Sequence, residues 1–312
     1  MEYKPMKNLL LLRPDSVEYV YKSINMKTSC DMEGAIKALR DWLEKQSHFK
    51  RKDFTDNYLQ SAIIASKGSI EGTKQRLDKI CTLRTLIPDS FRSFDVKKDF
   101  HDCFVYMKPI MLPQLSQDQC RLFVVKPSGI FEASHICDVL KYTLVIGDYM
   151  KQTDIICNFK GIFDLSDINL MEVITKLNLM DLRRTLTVYF EGHGMRLKGI
   201  YFITTSKVIE TLIGLLKQVL KPKIVQRIRV VKSWDELHSV IGKDIIPVDF
   251  GGYEKSVQEI HDEWVEELSS DKFKQYLRDI NSTGTDESCR SSYKFNEEYA
   301  GMPGTFKVLN VD

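Results

Sequence analysis

The sequence predicts an α/β protein in which a small helical module precedes a mainly parallel sheet covered by helices. Up to about residue 100 the apolar residues recur at helical spacing, and from Cys120 onward strand-like and helix-like segments alternate. Strands separated by helices of this length pair in parallel. The hydrophobic content of 43% and charged content of 28% are typical of an ordinary globular protein.

The helical module contains three predicted helices. In "EGAIKALRDWLEKQ", Ile36, Leu39, Trp42 and Leu43 stand at helical spacing. The longer stretch "NYLQSAIIASKGSIEGTKQRLDKICTLRTLIP" predicts two more helices separated near "SKGS", and Pro88 ends the second.

From Cys120 onward, segments with strand periodicity alternate with segments with helix periodicity. After "GGY" one last helix is predicted, with Val257, Ile260, Trp264 and Leu268 on one stripe. A polar segment, "NSTGTDESCRSSYKFNEEYAG", follows and leads to "TFKVLNVD". In chain order the alternating elements are strand "CRLFVVKP", helix "ASHICDVLKYTLVIGDYM", strand "GIFDLSD", a helix from about Ile168 to Tyr189, strand "LKGIYFIT", the helical stretch 205–223, strand "RIRVV" and helix "SWDELHSVIG".

The stretch "TSKVIETLIGLLKQVLKPK", residues 205–223, predicts a strongly amphipathic helix. Its apolar residues fall within an arc of roughly 160° on a helical wheel. Its uncharged runs are too short for a membrane span, which needs about 20 mostly apolar residues. Two interpretations remain open: a core helix packed on the sheet, or a helix that leaves the body and contacts lipid.

Basic residues are concentrated in one window of the chain. Between Arg183 and Lys232 there are eleven lysines and arginines against two glutamates, although the whole chain carries only +2. Such a block indicates an anionic partner: a phospholipid surface, a phosphorylated headgroup or nucleic acid. Nucleic acid is disfavoured, because the aromatic residues of the window lie in apolar runs and not among the arginines. A solvated charged face is the plainer alternative.

The familiar catalytic and metal-binding motifs are missing from the sequence. Gly192 and Gly194 precede a strand, whereas a dinucleotide fingerprint follows one. There is no GxxxxGK[ST] loop and no GxSxG elbow, and the six histidines never pair at metal-ligand spacing. Asp164 and Asp167 in "FDLSD" could serve acid–base chemistry, but Ser166 and Asp167 lie just before an apolar-periodic helix, and we expect them to cap it instead. We expect no enzyme activity, no cofactor and no metal.

The cysteines and the first residues indicate the cellular compartment. The seven cysteines form no CxxC pair and have no regular spacing, so we expect free buried thiols. The four-leucine run near the start is too short for a signal peptide. We therefore expect a cytoplasmic protein. The wide apolar stripes beside a basic edge favour a binder with an apolar cavity and a cationic patch that meets anionic membranes.

The order of these motifs resembles the CRAL-TRIO lipid-binding family over about residues 30–270. The resemblance rests on "ALRDWLEKQ", "GIFDLSDINL", "MRLKGIYFIT" and "KIVQRIRVVKSWDELHSVIGKDIIPVDFGGY", of which "IIPVDFGGY" is the most specific part. Within the family, the α-tocopherol-transfer and retinaldehyde-binding branch is the most similar, also in the terminal "GTFKVLNVD". The resemblance implies an N-terminal three-helix bundle over residues 1–100, a lipid-binding α/β domain over 101–280 and a tail over 281–312.

The resemblance also implies two sets of site residues. In the family, a mobile helical lid, here the amphipathic stretch, covers an apolar pocket. A basic cleft binds phosphoinositide headgroups in the vitamin E transfer protein, but the family's "FLRARKFD" is replaced here by "AIIASKGSI", which keeps only Lys67 of that wall. The implied pocket residues are Leu140, Thr143, Phe163, Leu170, Ile200, Ile209, Leu212, Ile213 and Leu216, and the implied phosphoinositide-binding residues are Arg196, Lys198, Lys223 and Arg227.

These observations together predict a soluble monomeric carrier. It would bind a tocopherol, retinoid, carotenoid or other terpenoid-type lipid under the lid and exchange it with anionic membranes during transient association. Two alternatives stay open: a phosphatidylinositol or other phospholipid exchange protein, and a lipid-sensing adaptor that transfers nothing. The aliphatic character of the pocket residues does not name the cargo.

Overall fold

A five-stranded sheet forms the centre of the molecule, as a computed structural model shows for residues 3–26, 28–92, 94–129 and 132–290. The sheet order follows the chain order, with β1 antiparallel to β2 and the remaining neighbours parallel. This confirms the predicted α/β class with a mainly parallel sheet. The strands are β1 (Ile110–Met111), β2 (Arg121–Val125), β3 (Asn158–Asp164), β4 (Arg196–Ile203) and β5 (Ile228–Val231).

The helices before the sheet begin at side-chain caps where the sequence supplies them. Thr28 and Asp31 form a reciprocal capping box, and Thr55 and Ser69 each accept a backbone N–H of the first turn that they precede. The predicted break near "SKGS" is confirmed, with Lys67 and Gly68 in the left-handed region. The helices of this part are α1 (Ser16–Ser23), α2 (Ser29–Glu44), α3 (Asp56–Ala65) and α4 (Ile70–Leu86).

The remaining helices cover the sheet and complete the core. A π-helical turn, Val188–Gly192, follows α9, and 3₁₀ turns occur at Pro88–Phe91, Val248–Phe250 and Glu287–Cys289. The helices are α5 (Val96–Asp99), α6 (His101–Tyr106), α7 (Ala133–Thr153), α8 (Leu170–Lys176), α9 (Leu179–Thr187), α10 (Ile209–Leu216), α11 (Pro222–Val225), α12 (Trp234–Ile241), α13 (Val257–Leu268) and α14 (Asp271–Asn281).

Two predicted helices have wrong bounds and one helix was not predicted, each for a local reason. The single helix from Ile168 to Tyr189 is two helices, because the extended backbone of Asn178 places its side chain as an N-cap for Met180 and Asp181. The amphipathic stretch is regular only over α10, and Pro222 starts the separate turn α11. A further helix, α14, follows the predicted last one, with Ser270 as its cap.

The end of the described chain lies against the N-terminal helices. Thr285 bridges to Phe49, and the Arg290 guanidinium reaches Asp78 of α4 at 2.7 Å. The motif "TFKVLNVD" lies outside the described residues. Within the described ranges, no helix is both long enough and apolar enough to cross a bilayer.

Candidate functional site

A cavity of about 250 Å³ lies between one face of the sheet and the helices that cover it. The sheet contributes alternate residues, because successive side chains of a strand point to opposite faces. From β3 these are Phe159, Gly161 and Phe163, and from β4 they include Ile200 and Phe202. Gly161 leaves the middle of this floor open, since a Cβ there would lie 2.9 Å from the Phe163 ring.

Two helices build the walls with the same spacing. From α7 the cavity receives Ile136, Val139, Leu140 and Thr143, which form one stripe at intervals of three and four residues. The segment from α9 into the π-helical turn repeats this spacing, and Phe190 extends it. That second stripe consists of Leu182, Thr185, Leu186 and Tyr189.

The amphipathic segment closes the cavity with side chains four residues apart. Leu212 and Leu216 of α10 and Leu220 beyond it line the cavity. Leu212 is buried, whereas Leu216 is half-buried. The segment therefore rests on the cavity with one narrow stripe, as a cover, and is exposed on its other side.

The cavity wall offers almost no polar chemistry. Among its side chains only Thr143, Thr185 and Tyr189 carry polar atoms. The Thr143 hydroxyl already donates to the Leu140 carbonyl at 2.6 Å. Burial raises the pKa of Tyr189 far above its ordinary value, so this phenol stays neutral. Such a space suits hydrocarbon and disfavours a charged group inside it.

The structure places six of the nine implied pocket residues in the wall of this cavity: Leu140, Thr143, Phe163, Ile200, Leu212 and Leu216. The other three, Leu170, Ile209 and Ile213, do not line it. Ile213 is turned by one residue, about 100°, from Leu212. Ile209 precedes Leu212 by three residues and is the first residue of α10. Leu170 is the first residue of α8, a helix that packs on α10.

Several wall residues were not singled out from the sequence. The stripe from Leu182 to Tyr189 carried a usable signal, since it repeats the three-and-four spacing inside a stretch already predicted as helical. Leu220 belongs to the apolar arc of residues 205–223 but lies past the end of α10. The strand residues Phe123 and Phe159 could not be recognised from the sequence as residues of the cavity wall, because their strands are buried on both faces and show no alternation of apolar and polar residues.

The four implied phosphoinositide-binding residues divide into two kinds. The Arg196 guanidinium donates to the carbonyls of Ile64 and Ala65 at 2.5 and 3.2 Å, and Arg227 donates to the Leu197 carbonyl. The structure thus uses both arginines to hold chain segments together. Lys198 and Lys223 are exposed, and within the described residues neither is in an ion pair.

The acidic pair in "FDLSD" forms an ion-pair cluster and not a helix cap. Asp164 accepts the Trp234 indole N–H at 2.7 Å, and Asp167 lies 2.8 Å from the Lys126 Nζ. Asn169 caps α8 instead, so the capping prediction is wrong. Within the described ranges, no group of three His, Cys, Asp or Glu residues could hold a metal ion.

Comparison with known proteins finds one family model that is similar to the part of the chain containing the cavity. Residues 107–252 match the family model of the CRAL/TRIO domain. No curated protein matches the sequence. Among solved structures, one titled "Crystal structure of Sfh5" aligns at 11% identity with a TM-score of 0.41, covering 87% of this chain and 98% of that chain. The α-tocopherol-transfer and retinaldehyde-binding branch stays a prediction.

The matched range includes every side chain of the cavity wall, from Met107 to Leu220. It also includes the whole sheet and the cover α10. A domain of this family supports a lipid-binding or lipid-transfer function. The part of this chain that matches the CRAL/TRIO domain model is therefore the part that builds the cavity.

Proposed function

We propose that this protein carries a small hydrophobic lipid in the cavity under α10 and exchanges it with anionic membranes. The observation that carries the proposal is the chemistry of the cavity wall, which is aliphatic and aromatic apart from two threonines and one neutral tyrosine. Removing apolar surface from water stabilises a bound lipid by about 25 cal/mol per Å². A terpenoid-type lipid, such as a tocopherol, retinoid or carotenoid, matches this lining.

Identification of lipid bound to the purified full chain tests the proposal. Lipids are extracted after purification, identified by mass spectrometry and quantified per mole of protein. The Thr143→Phe variant adds bulk inside the cavity, so we expect its lipid occupancy to fall at least fivefold, which corresponds to a loss of about 1 kcal/mol in binding free energy. Val240→Phe is the matched control, because Val240 is 56% exposed on α12 and does not line the cavity. Equal occupancy in the two variants would contradict binding in this cavity.

The membrane step is proposed to use exposed lysines beside the cover. Each basic residue near an anionic surface contributes about 1 kcal/mol. Lys198→Glu combined with Lys223→Glu removes two such contributions, about 2 kcal/mol, and should therefore slow transfer to anionic vesicles about thirtyfold and leave ligand affinity unchanged. Lys243→Glu is the control, because this exposed lysine lies outside the basic window. Equal loss of transfer and of ligand affinity would refute this separation of roles.

The same two assays separate the alternatives. A phospholipid as the principal extracted species would favour an exchange protein. Tight lipid binding without transfer between vesicles would favour a lipid-sensing adaptor. The excess of basic residues between Arg183 and Lys232 is the observation that favours a cargo with a headgroup.

A further inference from the structure

An open groove of about 390 Å³ lies between α4, α9 with its π-helical turn, and the chain around Leu220. Three cations, Lys79, Arg183 and Lys221, line it, and Glu191 carries the single carboxylate among the described residues that do so. That carboxylate lies 3.2 Å from the Lys79 Nζ and 3.4 Å from the Lys221 Nζ, while the exposed Arg183 adds a further positive charge. The groove therefore favours an anion beside an apolar group. Its apolar residues are Leu186, Phe190, Val219, Leu220 and Ile224.

The described part of the chain ends beside this groove. The Arg290 guanidinium donates to both carboxylate oxygens of Asp78, at 2.7 and 2.9 Å, and to the Thr82 hydroxyl at 2.9 Å. The residue of α4 that follows Asp78 is Lys79, which lines the groove. The chain beyond Arg290 therefore starts one helix position away from a residue of the groove.

The sequence beyond Arg290 contains a segment with the composition that the groove favours. In "YKFNEEY", residues 293–299, two adjacent glutamates stand between the aromatic residues Phe295 and Tyr299. The first of them, Glu297, follows Arg290 by seven residues, and an extended chain of that length spans up to about 25 Å. Because Lys79 and Lys221 both contact Glu191, the two lysines lie together within this reach.

A second basic stretch, residues 50–52, also lies beside the end of the described chain. The Lys50 backbone N–H donates to the Gly284 carbonyl at 2.9 Å, and the Lys50 side chain is exposed. Its neighbour Arg51 already pairs with Asp53 and Asp279. This stretch is close to the same exit but does not line the groove, so Lys50 is the comparison that distinguishes the groove from general attraction between opposite charges.

We infer that the acidic pair Glu297–Glu298 binds in the groove and ties the end of the cover to the N-terminal helices. Lys221 directly follows Leu220, the last side chain of the amphipathic segment that lines the cavity, whereas Lys79 belongs to α4. An anion held between the two lysines opposes movement of the cover away from the body. The contact needs no lipid in the cavity, so it stands independently of the cargo.

The strength of the contact follows from its exposure and its tether. Exposed charge pairs are individually weak, but a partner on the same chain is present at an effective concentration of about 1 mM or more. The contact is therefore reversible, and an anionic membrane competes with it for the same cations. This makes the acidic pair an autoinhibitory element that is displaced where the cover meets lipid.

Carbodiimide cross-linking of the purified full chain tests the contact, because the reagent joins a carboxylate to a lysine that touches it. Mass spectrometry of the digest should find Glu297 or Glu298 joined to Lys79 or Lys221 at least about fivefold more often than to Lys50, the order of effect for two exposed charge pairs. At 1 M salt, where the Debye length is about 3 Å, these cross-links should fall several-fold.

Two controls accompany the cross-linking. The pair of Lys79 and Glu191, at 3.2 Å, shows that the reagent reaches the groove. Mixing isotopically labelled and unlabelled chains separates contacts within one chain from contacts between copies. Cross-links of the acidic pair mainly to Lys50, or mainly between two copies, would overturn the inference, and so would cross-links that salt leaves unchanged.

Vesicle binding measures the consequence for the membrane step. The Glu297→Gln, Glu298→Gln double variant should bind phosphatidylcholine vesicles that contain about a quarter phosphatidylserine about threefold more tightly than the wild type, because the cations of the groove become available. Glu33→Gln with Glu44→Gln is the matched control, since it removes the same charge from exposed glutamates of α2 outside the groove. Adding Arg183→Gln and Lys221→Gln should abolish the gain.

The outcomes separate this inference from the proposed function. An equal gain in the two glutamate double variants, or no gain in either, would overturn autoinhibition by the acidic pair. A gain that persists without Arg183 and Lys221 would overturn the groove as its binding site. Absence of vesicle binding by every variant would contradict the membrane step of the proposed function, and the cross-links would still decide whether the acidic pair occupies the groove.

Discussion

Replacing Asp148 with asparagine should destabilise the whole molecule, because Asp148 neutralises a buried arginine between the N-terminal helices and the sheet domain. The Arg84 guanidinium donates to the Asp148 Oδ1 at 2.7 Å, and the two side chains are 1% and 2% exposed. The His193 Nε2 lies 3.1 Å from the same oxygen. Burial raises the pKa of Asp148, but Arg84 and His193 lower it by more, so the carboxylate stays charged.

The size of the effect follows from this burial. An asparagine at 148 keeps the shape of the side chain but removes the carboxylate that pairs with Arg84. The Arg84 guanidinium then keeps its hydrogen bond to the Thr283 hydroxyl at 2.9 Å, which does not neutralise its charge. Breaking a buried ion pair by removing one partner costs about 3–5 kcal/mol. This is a large fraction of the roughly 5–15 kcal/mol that stabilises a typical protein. We expect a correspondingly lower urea midpoint.

The assay is urea unfolding of the full chain, followed by tryptophan fluorescence and far-ultraviolet circular dichroism. The matched control is Arg92→Met, which removes an arginine from a surface pair that is 69% and 84% exposed and should cost less than about 0.5 kcal/mol. Combining Arg84→Met with Asp148→Leu should restore most of the stability, since neither charge is then buried alone. A loss below about 1 kcal/mol for Asp148→Asn would refute the reasoning.

Three further predictions concern other parts of the fold. Burial lowers the pKa of His261 from 6.5 to about 4, so the stability that depends on its neutral form is complete above pH 6.5 and is lost as the pH falls toward 4. His261→Phe should recover up to about 3 kcal/mol of that loss, measured by urea titrations at pH 4 and 7.5. An unchanged dependence of stability on pH in the variant would contradict this prediction. Gly252→Ala places a Cβ 2.0 Å from the Ile246 carbonyl oxygen and should cost more than about 2 kcal/mol, whereas Gly34→Ala, with open space, should not destabilise. Arg76→Met should speed ligand release several-fold, because Arg76 donates to the carbonyls of Phe190 and Glu191. Lys37→Met is the control, and an unchanged release rate in Arg76→Met would show that Arg76 does not support the cavity wall.

The sequence predicts the order of elements well because the patterns that specify it are local. The alternation of buried strands with helices such as α7 follows from side-chain periodicity alone. The break between α3 and α4 needs residues with positive φ, and "SKGS" supplies Lys67 and Gly68 at 57° and 79°. The break at Asn178 was missed because asparagine also occurs inside helices, and only its extended backbone makes it a cap.

Membership of the cavity wall depends on rotation and contact that no local pattern contains. Six of nine implied wall residues line the cavity, yet Ile209 and Ile213 belong to the same apolar arc as Leu212 and do not. The arc of residues 205–223 is wider than the stripe that faces the cavity, so its hydrophobicity cannot select the inward side chains. The cluster of Lys79, Arg183 and Lys221 beside the cavity was equally hidden, since Lys79 joins the other two only when α4 packs against the π-helical turn.

The N-terminal helices support the wall of the cavity, although the proposed domain boundary near residue 100 assigns them to a different domain. Arg76 of α4 donates to the carbonyls of Phe190 and Glu191 at 2.9 and 2.8 Å, and Phe190 lines the cavity. Gly194, at φ 75°, lets the chain pass so close that a Cβ there would lie 2.7 Å from Ala65 of α3. A shift of α3 and α4 would therefore move this part of the cavity wall, because a close-packed contact transmits displacement.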